Sequence, residues 1–313
     1  MMAERYELNG LAMLVALALA PPLLTLLAFM DWLKSRLTGA RRRRWLPRLA
    51  LAADALLLLC LADGWLIEPH RLTVTRISDT SPKVASGTGE LRIAHVSDIH
   101  FERNSHSTDR ALRTIAREKP DIILLTGDIP QLGPFDRDQL HEWLRRLREI
   151  APVYAVPGYY EDEAVIAGSP ISDGVLLASE HMPTEVRGTK IVIQGFGPSD
   201  RIHPEQRPKT DGALYVVLDH TPDNIPYAAG LKPDWFFCGH THGGQVRLPF
   251  WGAIITASHT GKRYEYGLYR VGQMQAFVTR GIGLEPRPAP QVRFLCPPEI
   301  VVLSIRRSPS GAQ

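Results

Sequence analysis

A chain of 313 residues with 44% hydrophobic and 22% charged side chains can hold one sizeable globular core plus attachments, since domains commonly run to ~100–200 residues and α/β units somewhat longer. Lys+Arg 36 against Asp+Glu 33 leaves no basic footprint for nucleic acid, so no nucleic-acid partner is expected, and the pI of about 8.8 reflects local clusters, the largest at residues 41–44. The three cysteines, Cys60, Cys238 and Cys296, lack the spacing of a zinc knuckle or a disulfide framework and leave the redox compartment open.

Residues 11–30 form an apolar run broken only by Pro21, Pro22 and Thr25, close to the ~20 residues a helix needs to cross a bilayer core. Neighbouring groups can satisfy the carbonyls that proline frees, with a kink as the expected cost. A signal peptide is the rival reading. Ala18 and Ala20 make a small-x-small pattern, but Pro21 follows at once, Glu4 and Glu7 dilute the positive start, and the arginine cluster lies on the wrong side. Residues 49–67 are a second, weaker run, because Asp54 and Asp63 interrupt it and each central acid costs ~2.5–3.5 kcal/mol on insertion scales.

The expected anchor is therefore two helices within residues 1–69, joined by a basic loop with Lys34, Arg36, Arg41, Arg42, Arg43, Arg44 and Arg48. The positive-inside bias assigns that loop to the cytoplasm and everything after residue 69 to the extracytoplasmic side of the inner membrane. If the second run lies flat on the membrane instead, the rest of the chain stays cytoplasmic.

Residues 71–77 alternate like an edge strand, and residues 78–90, rich in Ser, Thr, Gly, Pro and Lys, read as a surface loop. Residues 91–96 form a strand ending in Ser97-Asp98-Ile99-His100, residues 109–118 have helical spacing, and residues 121–125 form a strand ending in Thr126-Gly127-Asp128. A helix over 136–150 carries Leu140, Leu144 and Leu147 on one face, with Arg145, Arg146 and Arg148 as a solvated surface around it. Residues 152–156 make a third strand that stops at Pro157-Gly158. Further strands are expected at 214–218 and 235–238, followed by shorter, antiparallel ones around 264–271, 274–279 and 300–305.

The βαβαβ order implies a parallel sheet, and in such sheets ligands gather where strands hand over to loops at their carboxyl ends. Asp98 and His100 end the first strand and Asp128 the second. Tyr159, Tyr160 and Glu161 follow the third, His220 follows 214–218, and His240 and His242 follow 235–238 in the string CGHTHGG. A glycine-rich turn with imidazoles on both sides of a threonine suits a metal ion, because neutral His is a common ligand and small neighbours let the backbone come close. Singly, each residue has a bland reading: Asp98 or Asp128 can cap a turn, and His220 can be a satisfied core histidine. Two carboxylates and four imidazoles, all at strand exits, are poorly explained as independent accidents. His70, His95, His106, His141, His181, His203 and His259 have no comparable partners and read as ordinary surface or core residues.

The motifs Asp98-x-His100, Gly127-Asp128, a Gly158 segment, His220 and Gly239-His240-Thr241-His242 follow the order of the calcineurin-like metallophosphoesterase superfamily. The chain resembles that superfamily from about residue 70 to 306, and the strings GHTHGGQVRLP and RGIG followed by PPEIVVL look like its membrane-associated phosphodiesterase branch. The resemblance implies an α/β fold, a four-layer αββα sandwich over residues 70–306, behind the anchor of residues 1–69 and ahead of a flexible tail at 307–313. It also implies that Asp98, His100 and His242 bind one divalent metal, that His220 and His240 bind a second, and that Asp128 bridges both. Mixed His/Asp sites accept Mn, Fe or Zn. Two such ions, ~3.5–4 Å apart, can clamp a phosphoryl group and activate a bridging water. The implied activity is metal-dependent hydrolysis of a phosphodiester or pyrophosphate, on a phosphate-ester or lipid-linked substrate at the membrane.

The chain departs from the family pattern at one point. Where that pattern reads Gly-Asn-His-Asp/Glu, the chain reads Gly158-Tyr159-Tyr160-Glu161, so the amide that completes the second metal site and the His that lies over the phosphate are both absent. Tyr159 can serve as a ligand only if the metal deprotonates its phenol, which leaves the second site expected to be weak. Tyr160 is expected to substitute partly for the His or to stack on a substrate ring. A non-catalytic module that keeps one metal and holds a phosphorylated ligand with these tyrosines is the alternative reading.

Overall fold

The computed structural model describes residues 2–101, 106–131, 135–161, 168–175 and 179–308. Two apolar helices open the chain, α1 (Met2–Thr38) and α2 (Leu46–Ala62). Helix α1 is assigned without interruption through Pro21 and Pro22. Helix α2 begins with a proline in its first turn, where the missing N–H has no intrahelical partner to lose. The stretch of α1 from Leu8 to Thr38, and the run from Leu46 to His70 that α2 opens, are each long and apolar enough to cross a membrane.

The two helices form an antiparallel hairpin. Thr25 donates from Oγ1 to Asp54 Oδ2 at 2.6 Å, so the polar residue in the first run supplies a partner for an acid that interrupts the second. Near the basic loop, Arg43 N donates to Asp31 Oδ2 at 2.9 Å. Ala28, Leu46 and Ala50 are buried between the helices, while Leu17, Leu23, Leu58 and Leu59 are exposed. Apolar exposure on that scale is unusual for a helix that faces water.

The end of the hairpin opposite the basic loop meets the rest of the protein. A Cβ on Gly10 would lie 2.9 Å from Ile254 O, so α1 packs there through bare backbone. Beyond α2 the chain tightens through a π-helical turn (Asp63–Ile67) and a 3₁₀ turn (Glu68–His70). Gly64 O accepts from Arg293 N at 3.0 Å. The buried carboxylate of Glu68 accepts from Leu295 N at 2.8 Å and from Cys296 N.

The strands of the first sheet are β1 (Thr73–Ser81), β2 (Glu90–Val96), β3 (Ile122–Thr126), β4 (Val153–Val156) and a late strand, Glu299–Arg307, in the order β1, late strand, β2, β3, β4. β2, β3 and β4 are parallel, as the βαβαβ pattern predicts. Their connections are α3 (His106–Glu118) and α4 (Arg137–Ile150), the latter capped by Asp136, whose side chain accepts from Gln139 N at 3.1 Å. The second sheet contains β5 (His181–Val186), β6 (Thr189–Gly195), β7 (Leu214–Leu218), β8 (Trp235–Cys238), and, after the two-residue strands β9 (Arg247–Leu248) and β10 (Gly252–Ala253), β11 (Gly267–Val271) and β12 (Met274–Val278). Its order is β11-β12-β8-β7-β6-β5. The late strand is β13.

Three apolar layers hold these elements. Leu112, Ile115, Leu144 and Leu147 of α3 and α4 pack on Ala94, Ile123 and Ala155 of the first sheet. Ile93, Leu124, Val156 and Val301 meet Ile193, Val216, Phe237 and Phe277 between the sheets. On the far face, Tyr215, Val217 and Phe236 are covered by Ile225, Ala228 and Leu231. The result is the expected αββα order of layers, with the last formed by short helical turns.

Four details differ from the sequence expectations, the first being that β1 runs on through Ser81, paired with β13, into the stretch read as a loop. β12 pairs antiparallel with β11 but parallel with β8, and β13 is antiparallel to β2 but parallel to β1. The hairpin β5–β6 lies where no strand is expected, because its turn, Arg187 and Gly188 at φ 51° and 80°, is a tight left-handed one without the Asn-Gly or Asp-Gly signal. β13 extends through Arg307, which donates from Nη1 to Val84 O at 2.7 Å, so the expected tail begins later, and residues 309–313 lie outside the described residues.

Removing the Glu68 carboxylate leaves two N–H groups of the 293–296 turn without their acceptor, each costing ~1–3 kcal/mol. Glu68→Ala is therefore expected to lower the unfolding temperature in detergent by several degrees, at ~2–4 °C per kcal/mol for a domain of this size. Amide exchange at residues 293–297 should accelerate in the same variant, and Glu68→Gln, which keeps one acceptor, should do less of both.

Candidate metal centre

Five parallel strands from two sheets deliver the candidate residues to one place. β2 leads into Asp98 and His100, β3 into Asp128, β4 into the 158–161 segment, β7 into His220, and β8 into His240 and His242. They sort into two groups. The ligand atoms of Asp98, His100 and His242 lie within 4.8 Å of one another, and so do those of Asp128, His220 and His240.

In the first group, His100 Nε2 is 3.1 Å from His242 Nε2, which is 3.6 Å from Asp98 Oδ1. In the second, His220 Nε2 is 3.3 Å from Asp128 Oδ2. Asp128 Oδ2 also lies 4.0 Å from His100 Nε2, so one carboxylate faces both groups.

Neighbouring carbonyls orient the rings. His220 Nδ1 lies 2.8 Å from Thr126 O and donates to it, which turns Nε2, buried and in no hydrogen bond, toward Asp128. His240 Nε2 lies 2.9 Å from Ala257 O and donates to it, which leaves Nδ1 as the ring's available acceptor. Carboxylates orient the loops. Asp98 accepts from His240 N with both oxygens, at 3.0 and 3.1 Å. Asp128 Oδ1 accepts from Tyr159 N at 2.8 Å and from Tyr160 N at 3.2 Å. Glu161 accepts from Ile129 N and Gly158 N, each at 2.7 Å, and so joins the exits of β3 and β4.

The backbone is strained where these residues sit. Asp98, His100, Asp128, His240 and His242 have φ of 49°, 44°, 51°, 69° and 50°, a left-handed conformation that costs a non-glycine residue roughly 1–3 kcal/mol. Close approach supplies a second constraint. A Cβ on Gly158 would fall 2.2 Å from Asp128 Oδ1, and one on Gly239 would fall 2.1 Å from Asp98 Oδ2.

The charges are tightly coupled. Burial alone pulls the His220 imidazole down, but the Asp128 carboxylate outweighs it and carries the ring up to about 10. Burial, helped by His242, lowers His100 to about 4. Burial and then the Asp128 charge raise Glu161 to about 7. Without a cation, a proton on His220 therefore balances the Asp128 carboxylate. The donor set of two carboxylates and four imidazoles, with the His220 Nε2 aimed inward at Asp128, fits divalent ions such as Mn, Fe or Zn. No thiol joins it: Cys238 Sγ points at Phe277 O, and Cys296 Sγ at His242 O from 3.2 Å.

The two tyrosines take different places. The Tyr159 ring stands 5.3 Å from His220 and 5.0 Å from His240, centroid to centroid, and burial and nearby acids raise its pKa. Tyr160 lies 5.5 Å from the His100 ring and donates from Oη to Glu285 Oε1 at 2.7 Å. Glu285 Oε2 is in turn 3.3 Å from His242 Nε2. Burial tends to raise Glu285, but its hydrogen bond to His242 and that ring's charge bring it down to about 2. Glu285 is absent from the sequence expectations, since no spacing marks a loop residue that reaches the site across 125 positions.

Residues 91–244 match the family model described as calcineurin-like phosphoesterase. The chain carries a calcineurin-like phosphoesterase domain. Among curated relatives, it is 29% identical over 256 residues to the uncharacterized metallophosphoesterase YkuE of Bacillus subtilis, covering 77% of this chain and 87% of that one. It is 26% identical over 227 residues to the phosphodiesterase YaeI of Escherichia coli, covering 69% and 82%. It is 24% identical over 302 residues to the UDP-2,3-diacylglucosamine pyrophosphatase LpxG of Chlamydia muridarum, covering 76% and 90%. A phosphoesterase domain of this kind belongs to a hydrolase.

Glu161→Ala should loosen the centre without touching a candidate ligand. Two buried N–H groups lose their acceptor, at ~1–3 kcal/mol each, so a lower unfolding temperature and faster amide exchange at Ile129 and Gly158 are expected. Unchanged exchange at both amides would show that Glu161 does not hold them.

Proposed function

We propose that this phosphoesterase is a membrane-anchored, metal-dependent hydrolase that cleaves a phosphodiester or pyrophosphate, the substrate being lipid-linked. The observation that carries the reading is the convergence of two carboxylates and four imidazoles into two groups that share Asp128. Asp98, His100 and His242 would hold one divalent ion, His220 and His240 the other, and Asp128 would bridge them. Such a pair of ions, when bound, supplies an activated water and neutralises charge on the phosphoryl oxygens.

The remaining roles belong to the chain. Asp98 fixes the His240 backbone, Thr126 and Ala257 fix the imidazole faces, and Glu161 fixes the loops. The phenolic proton of Tyr160 is committed to Glu285. Tyr160 therefore forms a wall that orients the substrate beside His100, in the place where the resemblance expects a His. The lipid link rests on the hairpin of α1 and α2 and on relatives whose names include a diacylglucosamine pyrophosphatase. The run at residues 41–44 lies at the far end of that hairpin from the metal centre. With the positive-inside bias, this supports an extracytoplasmic centre at the inner membrane.

The Gly158-Tyr159-Tyr160-Glu161 segment favours a second reading, a phospholigand-binding module with an incomplete second metal site. One experiment separates the two: purified protein with Mn²⁺ should hydrolyse an activated soluble diester, and Asp128→Ala should abolish this. Absence of turnover with metal bound would support the binding module.

Metal content tests the grouping directly. His100→Ala and His242→Ala are expected to lower one ion, and His220→Ala and His240→Ala the other. Tyr159→Asn, which offers a neutral amide oxygen, should tighten the second. General acid–base assistance is typically worth ~10²–10⁴-fold. Adding Tyr160→His should therefore raise turnover most for substrates with poor leaving groups, and a loss on every substrate would show that the tyrosines are specialised parts of the site.

A further inference from the structure

The surface where the anchor meets the domain carries apolar side chains that the hydrolytic reading leaves unused. The β9–β10 hairpin projects Phe250 at its tip, fully exposed and with φ of 64°. Ile255 and Leu295 are each about half exposed, at 47% and 48%. Ile255 and Leu295 flank the points where the helices touch the domain: Ile254 packs on Gly10 of α1, and Leu295 N bonds Glu68 just beyond α2. The β9–β10 hairpin and the 293–296 turn are themselves joined, Arg247 N donating to Phe294 O at 2.9 Å. At the same level on the anchor, Trp65, Leu66 and Ile67 are exposed. The apolar belt of the two helices thus continues onto the domain.

Its rim is amphipathic. Lys262 Nζ lies 5.1 Å above the Trp251 ring, on the 261–264 turn that packs against α1. Indole rings and snorkelling lysines prefer the boundary between acyl chains and headgroups. Water is a poor environment for a fully exposed Phe held in a left-handed turn, and the bilayer that would surround the helices is the neighbour in position to cover it.

We propose that the 249–255 loop and Leu295 are sunk into the acyl boundary of the bilayer beside α1 and α2, so that the metal centre opens at headgroup level toward lipid phosphodiesters of that leaflet. This rests on the membrane anchoring proposed above. The loop is coupled to the centre. A Cβ on Gly244 would lie 2.4 Å from Ala253 Cβ, and His240 Nε2 bonds Ala257 O. The depth of the loop therefore sets the height of the His240-Thr241-His242 segment above the bilayer. A lipid needs only to present its headgroup, with its acyl chains still in the membrane.

The test is a depth measurement on the full chain in nanodiscs of phosphatidylethanolamine and phosphatidylglycerol. Nitroxide labels on Phe250→Cys and Ile255→Cys, in a Cys60→Ser background, are compared with one on Tyr227→Cys, an exposed position on the outer helical layer. The expected result is a several-fold higher ratio of oxygen to nickel-chelate collisions at 250 and 255 than at 227. Equal ratios would overturn the proposal, and so would exclusion of both reagents at 250, which signals contact with a second protein copy. Hydrolysis of bis(p-nitrophenyl) phosphate with Mn²⁺ is measured on the same samples. A depth contrast without hydrolysis keeps the surface and removes the phosphoesterase reading, whereas hydrolysis without the contrast does the reverse.

Discussion

The carboxylate of Asp128 is the point on which the architecture of the site converges. One oxygen holds the backbone of Tyr159 and Tyr160 at the end of β4, and the other faces His220 from β7 and His100 from β2. Four strand exits from two sheets are thus referred to one buried charge. Such a charge is costly unless it is paired and hydrogen-bonded. Two N–H donors answer one oxygen, and a proton on His220 or a cation answers the other.

That convergence explains why so much of the neighbourhood is locally unfavourable. Five of the six residues proposed as ligands sit in left-handed backbone, and glycine at 158 and 239 is required for bare steric reasons. Strain of this kind persists only where the surroundings over-determine it. Here the surroundings are two sheets whose strands β3 and β8 are buried along their whole length and whose regular pairing fixes where each loop must begin.

What was legible in the sequence follows from the same physics. Parallel strands read as short apolar runs, and the His and Asp residues at their carboxyl ends stand out as candidate ligands without coordinates. Glu285 does not, because it approaches from a loop after β12 and its relation to Tyr160 and His242 exists only in three dimensions. The β5–β6 hairpin escaped because Arg187-Gly188 is an unmarked turn. The directions of β12 and β13 escaped because pairing partners are set by the connections between sheets, which local pattern does not encode. Asp54 looked like a defect in the second apolar run, and its partner, Thr25, lies on another helix.

Glu68 lies within the segment read as the anchor, yet its carboxylate completes the turn that ends at Cys296, and Cys296 Sγ in turn leans on the carbonyl of His242. The short segment beyond α2 is accordingly a structural member of the domain. A protease that clipped the chain just after α2 would leave the turn its acceptor, whereas one cutting a few residues later would take it away. The two helices are thereby separable from the domain only on the N-terminal side of Glu68. In a lineage that exchanged or lost these two helices, the three or four residues around position 68 would be inherited with the domain and not with the helices.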